Sequence, residues 1–465
     1  MRRYLILIIL LLVLLVPIGL LALGVIKRPV RTPNPVPLTM WVMSDATAYR
    51  SIINQFNAVR PYIRVTIEEV PREDYATKLK DAWARGKGPD LFELPASSIG
   101  EFATDFLSPM PAATTVYTYR TKKVLFRSEI EVSRNTIASI TAPQLQQQFV
   151  DVVSDDVLRG GQIYGLPLAI DTLVLYYNRD LLRGANIVAP PTSWLQLTSL
   201  VPKLTSTDDQ DKVIQSGIAI GTGKNVTHSA DIMSLLMLQD GVTLNGVDGQ
   251  VNLDDSVTAD GQNLGVNALS FYTSFANPNK PTYAWNAEQP ESRDAFVRGK
   301  SAMYIGYGTD RPYIDANTSV NYGIAAIPHL TADGKDSSPS GASQQVNYGN
   351  YNVLAVFQRS AYANEAWNLI QFLTRQDAVA KPFLAATKRV GALRTVVAEQ
   401  AADPEVGVFA QQAVSARSWY RGRSASATEQ ALRDMIDNVA GGKSTPIEAL
   451  SLARRQIELT TRTIR

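Results

Sequence analysis

Between residues 38 and 95 the apolar residues change their period four times, and this constrains the fold more than anything else in the chain. LTMWVM (38–43) is a short apolar run fit for a buried strand. In AYRSIINQFNAV, Tyr49, Ile52, Ile53 and Phe56 recur at helical spacing, and Pro61 stops that helix. Ser44-Asp45 is placed to cap it. Ile63, Val65 and Ile67 then alternate with Arg64, Thr66 and Glu68, as in a half-buried strand. Tyr75, Leu79, Ala82 and Trp83 form a second helical face, ended by Gly86 and Gly88, and DLFELP returns as a strand. Strand, helix, strand, helix, strand in so short a span predicts a parallel sheet of an α/β fold. Ligands of such open sheets bind beyond the carboxyl ends of the strands, here residues 44–47 and 96–98.

At 465 residues the chain exceeds one compact core, so two or more lobes are expected. A net charge of +2 argues against a nucleic-acid partner. There is no cysteine, which removes disulfides, thiolate metal sites, thiol nucleophiles and lipid attachment through sulfur. The two histidines, His228 and His329, lie far apart in sequence, so no metal site is expected. After MRR, residues 4–26 carry no charge. As a helix at about 1.5 Å per residue this tract spans a bilayer core of about 30 Å. We expect an uncleaved single-pass membrane anchor rather than a cleaved signal, and basic residues on both sides (Arg2 and Arg3 before, Lys27, Arg28 and Arg31 after) leave its orientation open. RPVRTPNPVP follows, with four prolines in ten residues, an extended spacer. Anchor and spacer together take residues 1–37.

Residues 115–132 break the α/β rhythm, being polar, charged and β-prone, and suit a hairpin or an excursion from the sheet. Further on, Ser193 and Gln196 form a capping box before Leu197, Leu200, Val201 and Leu204. SGIAIGTGKN reads as a strand entering a glycine loop. ALSFYTSF and AWNLIQFLTR read as helices, SAMYIGYG and VNYGIAAIP as strands. Trp41, Trp83, Trp194 and Trp367 fall on apolar faces and are assigned to the core, whereas Trp285 suits either a cleft or a lobe cover. GQIYGLPLAIDTLVLYYNRDLL is less ordinary. A plain core strand has no need of Asp171 ahead of Tyr176 and Tyr177, of which at least one is expected to be core.

Four pieces in order carry a resemblance: LTMWVMSDATAYRSIINQFNAVRPYIRVTIEEVP, DAWARGKGPDLFELP, YGLPLAIDTLVLYYNRDLL with PPTSW, and SRDAFVRGKSAMYIGYG. The chain resembles the extracellular solute-binding proteins of ABC importers, in the group that includes maltose-binding proteins. The resemblance implies a two-lobe periplasmic-binding-protein-like fold with a hinge. Lobe 1 is expected over 38–168 plus about 350–400, and lobe 2 over 169–349 plus about 401–465. It implies that the GLP stretch, stiffened by Pro167, carries the chain between lobes. Asp171 then borders the cleft, as a ligand group or as a capping or lobe-bridging carboxylate. The family's ligand positions carry over to Ser44 and Asp45 after the first strand, to Ser97 after DLFELP, and to Asn225 in the GTGKN loop. They carry over also to Tyr307 as an aromatic platform, to Tyr348 and Asn350 at a recrossing, and to Trp419 and Tyr420 near the C-terminus. The implied ligand is a carbohydrate, whose hydroxyls want paired polar groups and whose C–H faces stack on aromatic rings. ABC permease subunits and the membrane are the implied partners, with the body on the extracytoplasmic side and no cofactor. A peptide or polyamine ligand, or a role feeding a sensor, are the alternatives. Two departures stand out. The family's usual lipid-bearing cysteine is absent, and Ala96-Ser97-Ser98 replaces the Asp-Arg of maltose-binding protein. The chain has no G-x-S-x-G, H-E-x-x-H or P-loop motif, so a catalytic role is not expected.

Overall fold

A computed structural model describes Leu15 and residues 34–72, 74–124, 127–210, 212–244, 251–258, 261–330, 345–419 and 421–461. The expected membrane anchor lies outside the described residues, save Leu15. Among the described residues no helix is long and apolar enough to cross a membrane.

The alternating periods at the start of the body build one side of the molecule. Val36–Val42 pairs in parallel with Ile63–Glu69 and with Leu91–Pro95, and Asn352–Val356 closes the sheet antiparallel to Leu91–Pro95. The first strand takes in Val36 and Pro37 from the end of the proline-rich stretch. Helix Ala46–Val59 turns Tyr49, Ile52, Ile53 and Phe56 onto the sheet, all buried, as its spacing requires. Asp45 does not cap that helix: it holds a left-handed conformation (φ 62°) and its carboxylate turns to Arg389 instead.

The second lobe is built on a three-stranded antiparallel sheet, with Val174–Asn178 between Met303–Gly306 and Tyr322–Ala326. Because side chains alternate along a strand, Leu173 and Leu175 enter one apolar cluster of this lobe, while Tyr176 packs on the opposite face against Phe296, Tyr304 and Tyr322 of the same lobe. Tyr176 is fully buried and Tyr177 half-buried. Helix Ser229–Gln239 is buried nearly all round; Leu264–Ser274 and Ala425–Ala440 pack against it, and Pro446–Thr461 packs against those two. Trp285 is fully buried, so it covers this lobe's core.

Residues 218–220 depart from expectation. Ile218, Ala219 and Ile220 are fully buried, yet they form no strand. Gly217 is pressed against the neighbouring helix, so close that a Cβ there would lie 2.7 Å from the Val201 carbonyl oxygen. The backbone meets the Met303–Gly306 region only through isolated bonds, such as Ala302 N–H to the Ser216 carbonyl at 2.8 Å. In the stretch that breaks the rhythm, Ala113–Val124 pairs antiparallel with Arg127–Ala138.

A small four-stranded sheet joins the lobes, in the order Val390–Gly391, Ala169–Thr172, Asn347–Asn350, Ala416–Arg417. Asp171 and Asn350 are direct partners on its two central strands. The GLP stretch leads into it. Leu166 exchanges backbone bonds with Leu354 of the first lobe, at 3.1 and 2.9 Å. Gly165 admits that approach, since a Cβ there would lie 2.7 Å from Val353 Cγ2. Helix Gly407–Ala413 packs Phe409, Ala410 and Ala413 into the first cluster, and from Trp419 onward the chain packs into the second.

Candidate functional site

A cavity of about 310 Å³ lies on the joining sheet, between the lobes. Its floor is formed by Ala169, Ile170, Asp171 and Asn350. Tyr49, Glu93, Phe383 and Arg389 face it from the first lobe, and Thr227, His228, Arg293, Tyr307 and Asp310 from the second.

Asp171 anchors the floor. Its carboxylate accepts the Gly308 N–H at 2.9 Å and the Thr309 N–H at 2.8 Å, so it ties the crossing strand to the loop after Met303–Gly306. Burial pushes its pKa up to about 6, against the pull of those two donors. Asn350 beside it donates to Asp231 at 3.3 Å. Asp231 also accepts the Tyr307 hydroxyl at 2.7 Å and pairs with the buried Arg421, which in turn hydrogen-bonds the Tyr348 hydroxyl. Burial works against the charge of Asp231, and the Arg421 guanidinium outweighs it, holding this carboxyl below its ordinary value. Tyr307 is therefore clamped with its ring on the cavity wall, edge-on to His228 at 4.8 Å between ring centres.

His228 Nε2 lies 2.8 Å from Asp310 Oδ2, which also accepts Tyr304 OH and Tyr307 N–H, while Arg293 reaches Oδ1 at 3.2 Å. Burial opposes a charged imidazole, but the adjacent carboxylate prevails and raises His228 above its ordinary value. Burial likewise opposes ionised Asp310, and His228 and the other donors hold it down to about 2. Across the cavity, Glu93 accepts Met43 N–H at 2.6 Å and Tyr49 OH at 2.8 Å, and burial raises its carboxyl.

The structure brings Asp171, Tyr307 and Asn350 onto this cavity. Ser44 and Asp45 sit one step behind it: Asp45 pairs with Arg389 at 2.8 Å, and Ser44 accepts from the same guanidinium group at 3.4 Å. Ser97 and Tyr348 line a narrow crevice that shares Asn350 and Tyr351 with the cavity. The crevice leads on, through Asp156 and Ser418, to a wider depression of about 970 Å³ that Trp419 borders. Asn225 is not on the cavity wall. Its amide donates to the Asn286 and Gln289 carbonyls at 2.9 Å each, and Thr222 donates to its carbonyl oxygen, so the side chain staples its own loop. Tyr420 lies outside the described residues. None of the six tryptophans lines the cavity, whose rings are tyrosine and phenylalanine. Glu93, His228, Arg293, Asp310 and Arg389 also line the cavity, and no motif marks them as site residues. A lone carboxylate inside the apolar strand LFELP was the signal for Glu93. The other four come from separate segments with no spacing in common.

Two α/β lobes on a thin joint, with polar groups of both turned toward one cavity, define the class of hinged solute-binding proteins. The chain belongs to the bacterial extracellular solute-binding protein family, whose model matches residues 41–380. A galactooligosaccharide-binding protein of Bacillus subtilis is 24% identical over 400 residues, 84% of this chain and 81% of that one. A maltotriose-binding protein of Pyrococcus abyssi is 21% identical over 340 residues, 73% of this chain and 62% of that one. The chain spans about half the length of other curated relatives: a binding protein of Brucella abortus matches at 25% over 244 residues, 51% of this chain and 53% of that one. Among solved structures, the cyclic α-maltosyl-1,6-maltose binding protein of Arthrobacter globiformis superposes with a TM-score of 0.70 at 16% identity, covering 92% of this chain and 99% of that one. The GacH receptor of Streptomyces glaucescens gives 0.67 at 18%, covering 92% and 100%. At such identities these two likenesses establish the fold.

Proposed function

We propose that this protein captures a sugar or short oligosaccharide between its lobes by hinge closure and delivers it, chemically unchanged, to the permease of an ABC importer. The observation that carries this reading is a cavity to which both lobes and both central crossing strands contribute, with tyrosine and phenylalanine rings set among hydrogen-bonding groups. That mixture suits a solute with hydroxyls on its edge and C–H groups on its faces. The relatives' names, for maltotriose and galactooligosaccharide, point the same way. Closure is favoured when the closed form makes more contacts to the solute than the open one. Ser44, Asp45, Ser97, Tyr348 and Trp419, behind and beside the cavity, then belong to the ligand's surroundings in a longer site. The uncharged tract at residues 4–26 holds the body at the membrane, which raises its effective concentration at the permease.

Thermal unfolding in the presence of mono- and oligosaccharides, with peptides and polyamines alongside, tests the reading. A bound sugar at a hundredfold excess over Kd should stabilise the protein by about 2.7 kcal/mol. Silence across the sugars with a response to peptides or polyamines would overturn the solute class.

A further inference from the structure

The polar groups around the interlobe cavity differ in what they have left to offer a ligand. An ionised carboxylate has about four acceptor positions. Asp310 fills its own with His228, Tyr304, Tyr307 N–H and Arg293. Asp171 takes the N–H groups of Thr172, Gly308 and Thr309. Glu93 is 2% exposed and faces Met43 N–H and Tyr49 OH. The carboxylates of the lining are thus largely consumed by the protein.

The donors are not. Arg72 lines the cavity, is exposed, and has no side-chain partner among the described residues. Arg389 meets Asp45 and Ser44 through Nη2, and among the described residues its Nε and Nη1 are uncommitted. His228 gives Nε2 to Asp310, and its Nδ1 has no hydrogen bond among the described residues. Burial holds Glu93 and Asp171 toward their neutral forms, while Asp310 favours the charged imidazole, so the imbalance grows in the same direction.

We propose that the cavity takes an acidic saccharide, a sugar whose ring carries a carboxylate, which the open donors of Arg72, Arg389 and His228 receive. The proposal rests on the sugar-binding reading above and narrows it. A planar carboxylate matches the fork of a guanidinium, and such charge-assisted bonds are about twice as strong as neutral ones. The surrounding tyrosine and phenylalanine rings serve the sugar's apolar faces.

Calorimetric titration of the full chain with D-galacturonate and digalacturonate, each against D-galactose and galactobiose, tests it. The acidic member of each pair should bind at least about tenfold more tightly. Part of that advantage should fade as salt is raised, because Arg72 sits at an exposed position. Arg72→Gln should cut the acidic advantage several-fold, by about the worth of one charged bond, and leave the melting temperature in place. A neutral sugar that binds as tightly as its acidic partner would overturn this inference and leave the sugar reading standing. An acidic preference untouched by both Arg72→Gln and His228→Gln would overturn it too. Failure of every saccharide, acidic or neutral, would remove the sugar reading along with it.

Discussion

His228 shows how one side chain links stability to the site. Its imidazole contributes through a bond to Asp310, and its pKa is raised in the folded protein. A raised histidine stabilises fully below the unfolded value of about 6.5, and the contribution is lost as pH climbs through the folded value. Asp310 has the opposite sense: held down to about 2, it stabilises above its unfolded value near 4 and loses this as pH falls toward 2. The pair is therefore strongest between about pH 4 and pH 6.5. His228→Gln should cost roughly 1.5–3 kcal/mol in that window, as for a hydrogen bond to a charged group, and less at pH 9. Denaturant titrations at the two pH values measure the difference, and an equal loss at both would refute the charged pair. With only two histidines in the chain, the ring protons of His228 are also readily followed by NMR once His329→Gln assigns the other.

At the scale of elements, the paired strands Ala113–Val124 and Arg127–Ala138 are seated chiefly on the helix Ala363–Thr374. Asn364, on the helix Ala363–Thr374, accepts the Thr115 N–H at 2.7 Å and donates to the Thr115 carbonyl at 2.8 Å, which mimics a strand partner. Tyr62 adds ring contacts with Tyr117 and Tyr119. Asn364→Ala should cost about 1–3 kcal/mol, since two backbone groups lose their partner, and should speed amide exchange at Thr115 before it affects the sheets. Unchanged exchange there would mean that Tyr62, whose hydroxyl also accepts the Tyr117 N–H at 3.3 Å, and Asn368, which donates to Thr114 at 3.4 Å, seat these strands without Asn364. The β-prone composition of this stretch made a hairpin legible, as the apolar stripes of Ala46–Val59 and Ala363–Thr374 made helices legible. Residues 218–220 read as a strand yet form none, because an apolar run reports burial, and burial alone does not say whether the backbone pairs. The strands Val390–Gly391 and Ala416–Arg417 are two residues each, too short for any period to show.

At the scale of the whole molecule, the bonds on either side of the joint show where each passage of the chain leaves one lobe for the other, and so where the proposed hinge would bend. Pattern and resemblance led to the crossing at Asp171 and the recrossing at Asn350, but partners separated by more than a hundred residues leave no local mark. On the first crossing, Ile170 pairs with Val390 and packs in the first cluster, whereas Asp171 is bound to Gly308 and Thr309 of the second lobe. On the return, Asn350 is bound to Asp231 of the second lobe, while Tyr351 donates to Asp156 at 2.7 Å and Val152 at 3.2 Å in the first. On the third pass Ser418 donates to Asp156, and Trp419 donates to Ser234 at 3.0 Å in the second lobe. Each crossing therefore changes allegiance between adjacent residues: 170 and 171, 350 and 351, 418 and 419. Hinges need only a few residues that absorb dihedral change while the lobes stay rigid. The chain has no cysteine, so labels can be placed at will. Dyes at Lys87→Cys and Lys280→Cys, both exposed and on opposite lobes, should draw closer when a binding sugar is added. A control pair at Arg183→Cys and Lys280→Cys, within the second lobe, should keep its separation. An interlobe distance that no bound solute alters would remove hinge closure from the account, and a shift of the control pair would show that the second lobe deforms rather than swings.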